Sequence, residues 1–249
     1  MLNHRLVTAF FAISIGLVFL LCELASPCFY LAQLTVLVIY LNIEFLGAYF
    51  IGLNFHLPSI NHLDQTKNKI ALTFDDGPCE PQTTNVLATL KKHNVKATFF
   101  VIGKNIHGNE TLLKQIVAEG HSIGSHSFSH HYWIDIWGKK KLEEDISKSL
   151  EVIKTVTGKH TTLFRPPYGV TTPNFAYVLK KLNLRSVGWS VRSYDTSTPD
   201  INKVFERVMR KTKNGSVILL HDRLDTMPAL LDKLIPALKE KKFEFVTIS

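Results

Sequence analysis

The stretch KIALTFDDGP, residues 69–78, runs an apolar strand straight into two adjacent carboxylates, Asp75 and Asp76, and ends it at Gly77-Pro78. Asp, Gly and Pro are ordinary turn residues. An acidic pair before such a turn is therefore also common surface chemistry. Its meaning depends on what else converges on it.

Working outward, short apolar runs alternate with segments of helical periodicity. The strand candidates are KIALTF, KATFFVI, HSIGS, TLFR, RSVGWSV, SVILL and FEFVTI. Between them, Val86, Leu87 and Leu90 share a face, as do Leu112, Leu113, Ile116 and Val117. Leu142, Ile146, Leu150 and Ile153 repeat at helical spacing up to a stop at Gly158. Pro173 and Pro199 suit first helical positions, capped by Thr172 and Thr198. The last helical stretch, PALLDKLIPALKEKK, is expected to break and restart at Pro236. Strands alternating with helices predict βαβ units and an α/β fold with a parallel sheet. Seven strands suggest a distorted barrel related to the eight-stranded kind, although an open sheet reads similarly.

Polar clusters follow the strands. Asp75-Asp76 follows the first, HSFSH (126–130) the third, RPPYG (165–169) the fourth, RSYD (192–195) the fifth, and His221-Asp222 the sixth. Parallel α/β architectures gather ligands and catalysis at the carboxyl ends of their strands. Five such clusters make the opening pair functional. His126 and His130 lie four apart, which in a helical turn puts them on one face. With Asp76 they form a two-His, one-carboxylate set that leaves positions open for water, as in a catalytic zinc site. His131 follows directly, so the register of the second histidine is open by one residue. Asp75 would then act as base and His221 as general acid.

These segments, TFDDGP, HSFSH, RPPYG, GWSVRSYD and ILLHD, resemble in order and spacing the five motifs of the polysaccharide deacetylases (carbohydrate esterase family 4, the NodB-homology domain). The resemblance covers about residues 69–249. It implies a distorted (β/α)7-type barrel and metal-dependent hydrolysis of an N-acetyl amide on an amino sugar. It also implies that Asp75 is the base, and that Asp76, His126 and His130 hold one divalent metal, zinc by preference. Arg165 would orient the base, the Tyr168 backbone N–H would help hold the oxyanion, and His221 would be the acid, supported by Asp195. Leu219, Pro166 and Trp189 would form the substrate pocket. The fourth motif departs from the family: Arg192 replaces its first Asp and Thr196 stands where a Trp is usual. Both bear on acyl-pocket shape and specificity. Cys79, just past the first turn, reads as a bystander.

The N-terminal quarter is different in kind. From Leu6 to Leu53 there is no Lys or Arg, and the charges are Glu23 and Glu44 alone. Leu6–Leu21 and Phe29–Leu53 are apolar enough to predict one or two transmembrane helices, the first slightly short for a span and the second interrupted. A cleaved signal peptide fits less well, because Pro27 spoils a small-residue cleavage site. The expected organisation is a membrane anchor over 1–58 and a catalytic domain over 59–249. Arg5 and the Lys-rich domain flank a loop, residues 23–28, without Lys or Arg, which places the domain in the cytoplasm if both segments span. An envelope substrate requires the domain outside, which a single span would give, and that orientation is preferred here on function rather than charge. The net charge of +8 sits in mixed helical runs such as GKKKLEED, not in a basic stripe, so no nucleic-acid partner is expected. Of three cysteines, Cys22, Cys28 and Cys79, one lies in the soluble part, which excludes a disulfide within it. The expected partners are the membrane and an N-acetylated glycan resembling peptidoglycan or a chitooligosaccharide. Two rival readings are a deacylase or deformylase of a lipid-linked amino sugar and a non-catalytic glycan-binding membrane protein. The second is disfavoured by retention of Asp75, His221 and the metal set.

Overall fold

The computed structural model of the chain describes residues 3–21 and 26–249; Cys22 and residues 23–25 of the expected 23–28 loop lie outside the described residues. Among the described residues the strands are β1 (Ser59–Ile60), β2 (Lys69–Asp75), β3 (Thr98–Val101), β4 (Ser122–Ser125), β5 (Leu163–Phe164), β6 (Arg185–Val187), β7 (Val191–Arg192), β8 (Val217–His221) and β9 (Glu244–Phe245). The helices are α1 (His4–Leu21), α2 (Pro27–Tyr49), α3 (Gln82–Lys92), α4 (Glu110–Ala118), α5 (Lys139–Thr157), α6 (Pro173–Lys181), α7 (Ile201–Lys211) and α8 (Met227–Glu240).

The strands pair in the order β1-β6-β5-β4-β3-β2-β8-β7, all parallel, with β9 parallel beside the start of β2. The ends of this path come together, because β6 and β7 are one run of chain interrupted at residues 188–190. There the Gly188 N–H donates to the Ile60 carbonyl (3.1 Å) and the Ser190 N–H to the Val217 carbonyl (3.0 Å). The result is the distorted parallel barrel expected from the sequence. Strand β1 was not expected; two residues carry no alternation to read.

β2 is central and buried on both faces, which is why it reads as a continuous apolar run. Ile70, Leu72 and Phe74 pack outward against Val86, Leu87 and Leu90 of α3 and Leu231 and Leu234 of α8. Ala71 faces inward with Phe100, Leu163, Val187 and Val217. Each such Leu, Ile or Phe contributes roughly 1.5–3 kcal/mol by leaving water. This packing holds the strand ends in place.

Two helix boundaries differ from expectation. α7 starts at Ile201, not Pro199, because the Asp200 carboxylate caps it, accepting the N–H groups of Asn202 (3.0 Å) and Lys203 (3.2 Å). α8 runs unbroken through Pro236. Leu230, Leu231, Leu234, Ile235 and Leu238 are fully buried around it, and that packing outweighs the one backbone hydrogen bond proline removes.

α1 and α2 form an antiparallel hairpin. Thr8 Oγ1 meets Tyr40 Oη (3.3 Å), Phe19 packs on Phe29, and the first residue of α1, His4, meets Glu44 near the end of α2. Both helices are long and apolar enough to cross a membrane, and most of their side chains face outward. The hairpin touches the barrel at an informative place. The Thr171 N–H, three residues past Tyr168, donates to the Ala48 carbonyl of α2 (2.9 Å).

Candidate active site

Parallel pairing sets Asp75, the last residue of β2, directly beside His221, the last residue of β8. Both open into a cavity of about 250 Å³ that Asp76, His126, His130, Trp189 and Leu219 also line. The five polar clusters at the strand ends therefore meet in one place.

Asp76 turns out of the strand with φ 79°, which carries its carboxylate across to the histidines. Its Oδ1 lies 3.8 Å from His126 Nε2 and 3.5 Å from His130 Nε2. The His126 Nδ1–H donates to the Arg165 carbonyl (2.7 Å), so its Nε2 carries the free lone pair. Burial, reinforced by the neighbouring His126, pushes His130 down to about 4, so its ring is neutral at physiological pH. Burial would raise Asp76, but His126, His221 and the Arg223 hydrogen bond outweigh it and hold the carboxyl below its ordinary range. One carboxylate oxygen and two imidazole nitrogens, within 4.8 Å of one another, are the donor set of a divalent transition metal. The residues fit the group the sequence motifs imply.

The register question at 130 and 131 has a geometric answer. His131 is exposed, accepts the Trp133 N–H at its Nδ1 (3.0 Å) and packs at a tilt against Trp137, away from Asp76. The helical turn expected for residues 126–130 is absent, and the segment is a loop with Ser127 and His130 at positive φ. Asp145 of α5 holds it, its two carboxylate oxygens accepting the Phe128 (2.8 Å) and Ser129 (3.0 Å) N–H groups. Ser127 Oγ accepts the His130 N–H (3.0 Å). Asp145 escaped sequence reading because it sits in a charged run on a helix face.

Arg165 is completely buried. Its Nη1 donates to Asp75 Oδ1 (2.7 Å) and Thr73 Oγ1 (2.9 Å), while Nε and Nη2 reach the carbonyls of Val187 (3.1 Å) and Gly188 (2.8 Å). The guanidinium also lies over the Phe100 ring, 4.1 Å from its centroid. One residue thus fixes Asp75 with its side chain and His126 with its carbonyl. Asp195 is placed against His221, whose Nδ1–H donates to Oδ1 and whose backbone N–H donates to Oδ2, both 2.8 Å. Burial would lower the His221 pKa, but the Asp195 bond and the charges of Asp195, Asp75 and Asp76 raise it above its ordinary value. His221 Nε2 is left for chemistry.

Tyr168 sits at φ 60° with its ring against His130 (4.8 Å) and Tyr132 (6.2 Å) at the rim. Gly169 follows at φ 73°, and any side chain there would run into the Trp189 ring. Leu219 and Trp189 line the cavity, whereas Pro166 does not. Pro166 is buried behind the lining, where its carbonyl accepts the Gly169 N–H (3.0 Å) and shapes the turn. Thr196 lines the cavity together with Arg192 and Tyr194. The Arg192 guanidinium lies over Tyr194 (4.9 Å) and Trp189 (5.7 Å). Arg223, two residues past His221, was also not foreseen; its Nε donates to Asp76 Oδ2 (2.8 Å). Cys79 faces Thr83 (Sγ to Oγ1 3.7 Å) and is not part of the cavity wall.

Comparison with known proteins gives this arrangement a context. Residues 62–187 match the family model for polysaccharide deacetylase. The peptidoglycan-N-acetylglucosamine deacetylase PgdA of Listeria monocytogenes is 38% identical over 184 residues, which cover 74% of this chain and 39% of that protein. The chain thus spans about two fifths of that relative's length. The crystal structure of the Bc1960 peptidoglycan N-acetylglucosamine deacetylase superposes with a TM-score of 0.72 at 35% identity, covering 76% of this chain and 89% of that one. A family 4 acetyl xylan esterase from Clostridium thermocellum, solved in complex with a cobalt ion, superposes at 0.65 with 34% identity, covering 72% and 87%.

Proposed function

The chain belongs to the polysaccharide deacetylase family, and on that premise we propose that it is a metal-dependent hydrolase removing N-acetyl groups from an amino sugar of a cell-envelope glycan such as peptidoglycan. The observation that carries this reading is the pairing across β2 and β8. It sets an Arg-held carboxylate, Asp75, beside an Asp-held imidazole, His221, at the mouth that Asp76, His126 and His130 close. A base and an acid facing one metal set is the machinery amide hydrolysis needs.

Asp76, His126 and His130 would hold one divalent cation, zinc by preference. When bound, it supplies Lewis-acid activation of water and of the acetamide carbonyl. Asp75 takes the proton of the attacking water, and Arg165 keeps its carboxylate aimed. His221, protonated through its bond to Asp195, gives its Nε2 proton to the departing amine, which leaves only when protonated. The Tyr168 N–H helps hold the oxyanion. Leu219 and Trp189 provide an apolar wall of acetyl size, and the exposed Tyr168 and Tyr132 rings offer faces for neighbouring sugars.

In this reading residues 1–58 anchor the domain of residues 59–249. The outward-facing side chains of α1 and α2 support a membrane-embedded hairpin, with the N-terminus and domain on one side. An envelope glycan requires that side outside the cell, a demand of function that runs against the charge bias of the 23–28 loop. Protease added to intact spheroplasts should then cleave the domain, and protection until lysis would overturn the orientation. Incubation of the zinc-loaded chain with a panel of N-acetylated glycans, read by mass spectrometry, tests the activity. Loss of acetyl groups from peptidoglycan or chitooligosaccharide is expected. Loss of formyl or longer acyl groups from a lipid-linked sugar alone would favour the rival substrate class.

A further inference from the structure

Apart from the catalytic cavity, the described residues bring one other set of metal-ligating side chains within 4.8 Å: His4, Glu44 and His56. They come from three elements, the first turn of α1, the last turns of α2 and the segment that leads into β1. We propose that these three residues form a second divalent-cation site, of the imidazole–carboxylate kind suited to zinc, that clamps the helix pair to the barrel.

Glu44 is the one charged side chain of α2, a largely apolar helix where a carboxylate is costly unless compensated. One imidazole would suffice for an ion pair, and His4 Nδ1 lies 2.9 and 3.1 Å from the two Glu44 oxygens. His56 makes the difference. Its side chain is 3% exposed, its Nε2 stands 3.6 Å from Glu44 Oε2, and its Nδ1 is buried without a hydrogen-bond partner. A separation of 3.6 Å is too long for a hydrogen bond. It is the spacing of two ligands on one ion, since tetrahedral zinc with bonds of about 2.0–2.1 Å sets its ligands roughly 3.3 Å apart. The catalytic set is likewise two imidazoles and one carboxylate, and its separations, 3.5 and 3.8 Å, bracket that of His56 from Glu44.

The frame around the cluster is preorganised by bonds that owe nothing to an ion. The His4 N–H donates to the Phe55 carbonyl (3.2 Å), and the two imidazoles lie 4.9 Å apart. Phe55 fits against Gly47, one turn beyond Glu44 on the same face of α2, where a side chain would displace the ring. An ion held here ties the start of α1, the end of α2 and the entry to the barrel together. α2 in turn meets the loop after Tyr168 through Ala48 and Thr171. The site would therefore fix the catalytic mouth relative to the helix pair.

The full chain, purified in detergent and stripped with a chelator, should be titrated with zinc alone and its bound metal counted after dialysis. Wild type should take up two ions, His56→Ala and His130→Ala one each, and the double variant none. To separate ligand loss from a loosened hairpin, zinc should still raise the melting temperature of His130→Ala, in which the hairpin is untouched. It should not raise that of the double variant. Anomalous scattering at the zinc edge from wild-type crystals should show a peak between His4, Glu44 and His56. A single ion per wild-type chain that disappears in His130→Ala would overturn the proposal. So would two ions retained by His56→Ala.

Discussion

His221 and Asp195 meet at two points: the ring Nδ1–H and the backbone N–H of His221 both donate, at 2.8 Å, to the two oxygens of one buried carboxylate. The paired bonds fix the tautomer and orientation of the ring, and the Asp195 bond and charge help raise its pKa. A raised pKa keeps His221 protonated, and hence competent as an acid, further into alkaline solution. Asp195→Asn should lower kcat about 10- to 100-fold, part of the ~10²–10⁴ that acid–base catalysis supplies. It should also move the alkaline limb of the pH–rate profile toward lower pH. An unmoved limb, with metal content intact, would show that this pair does not tune the acid.

Arg192 lines the same cavity, where a cation aimed at His221 would oppose the effect of Asp195. Its guanidinium instead lies over the rings of Tyr194 and Trp189. Arg192→Ala should therefore leave the alkaline limb in place and raise KM through a loosened aromatic wall. Steady-state kinetics across the pH range separates the two effects.

Arg165 is completely buried, and four of its contacts accept hydrogen bonds in fixed directions. Removing it leaves the Asp75 carboxylate buried and unpaired, at a cost of about 3–5 kcal/mol. Arg165→Ala should lower stability by that order in chemical denaturation and abolish activity. Arg165→Lys keeps the charge but cannot fork, so it should recover part of the stability and little of kcat.

Asp145 touches no candidate ligand, yet it fixes the loop that presents His130. Groups that orient metal ligands typically carry 10–100-fold of metal affinity. Asp145→Ala should weaken zinc binding at the catalytic set by about that factor, measured by competition with a chromophoric chelator. His131→Ala should leave it unchanged, because that ring packs against Trp137. Equal losses in the two variants would contradict the loop geometry described here.

These contrasts mark what the sequence could and could not reveal. The strand ends were legible because β2 and β8 are buried on both faces, so their apolar runs stop sharply where the chemistry starts. The departures arise where tertiary contacts override local signals. HSFSH has helical spacing, but Asp145 and two residues at positive φ hold it as a loop. Pro236 reads as a helix break, but the buried face of α8 carries the helix through it. Arg223 and the His4–Glu44–His56 cluster join residues 147 and 52 positions apart at their widest, and no local pattern announces them.

The most direct test of the account is acetate release from N-acetylated peptidoglycan by the zinc-loaded full chain, measured together with the free amines left on the glycan. Acetate and amine should appear in equal amounts, vanish on chelation, return with added zinc, and be absent in Asp75→Asn that retains its metal. Acetate release by metal-loaded Asp75→Asn at the wild-type rate would contradict the assignment of the base. No acetate from any N-acetylated glycan, with the metal bound and the fold intact, would contradict the deacetylase reading itself.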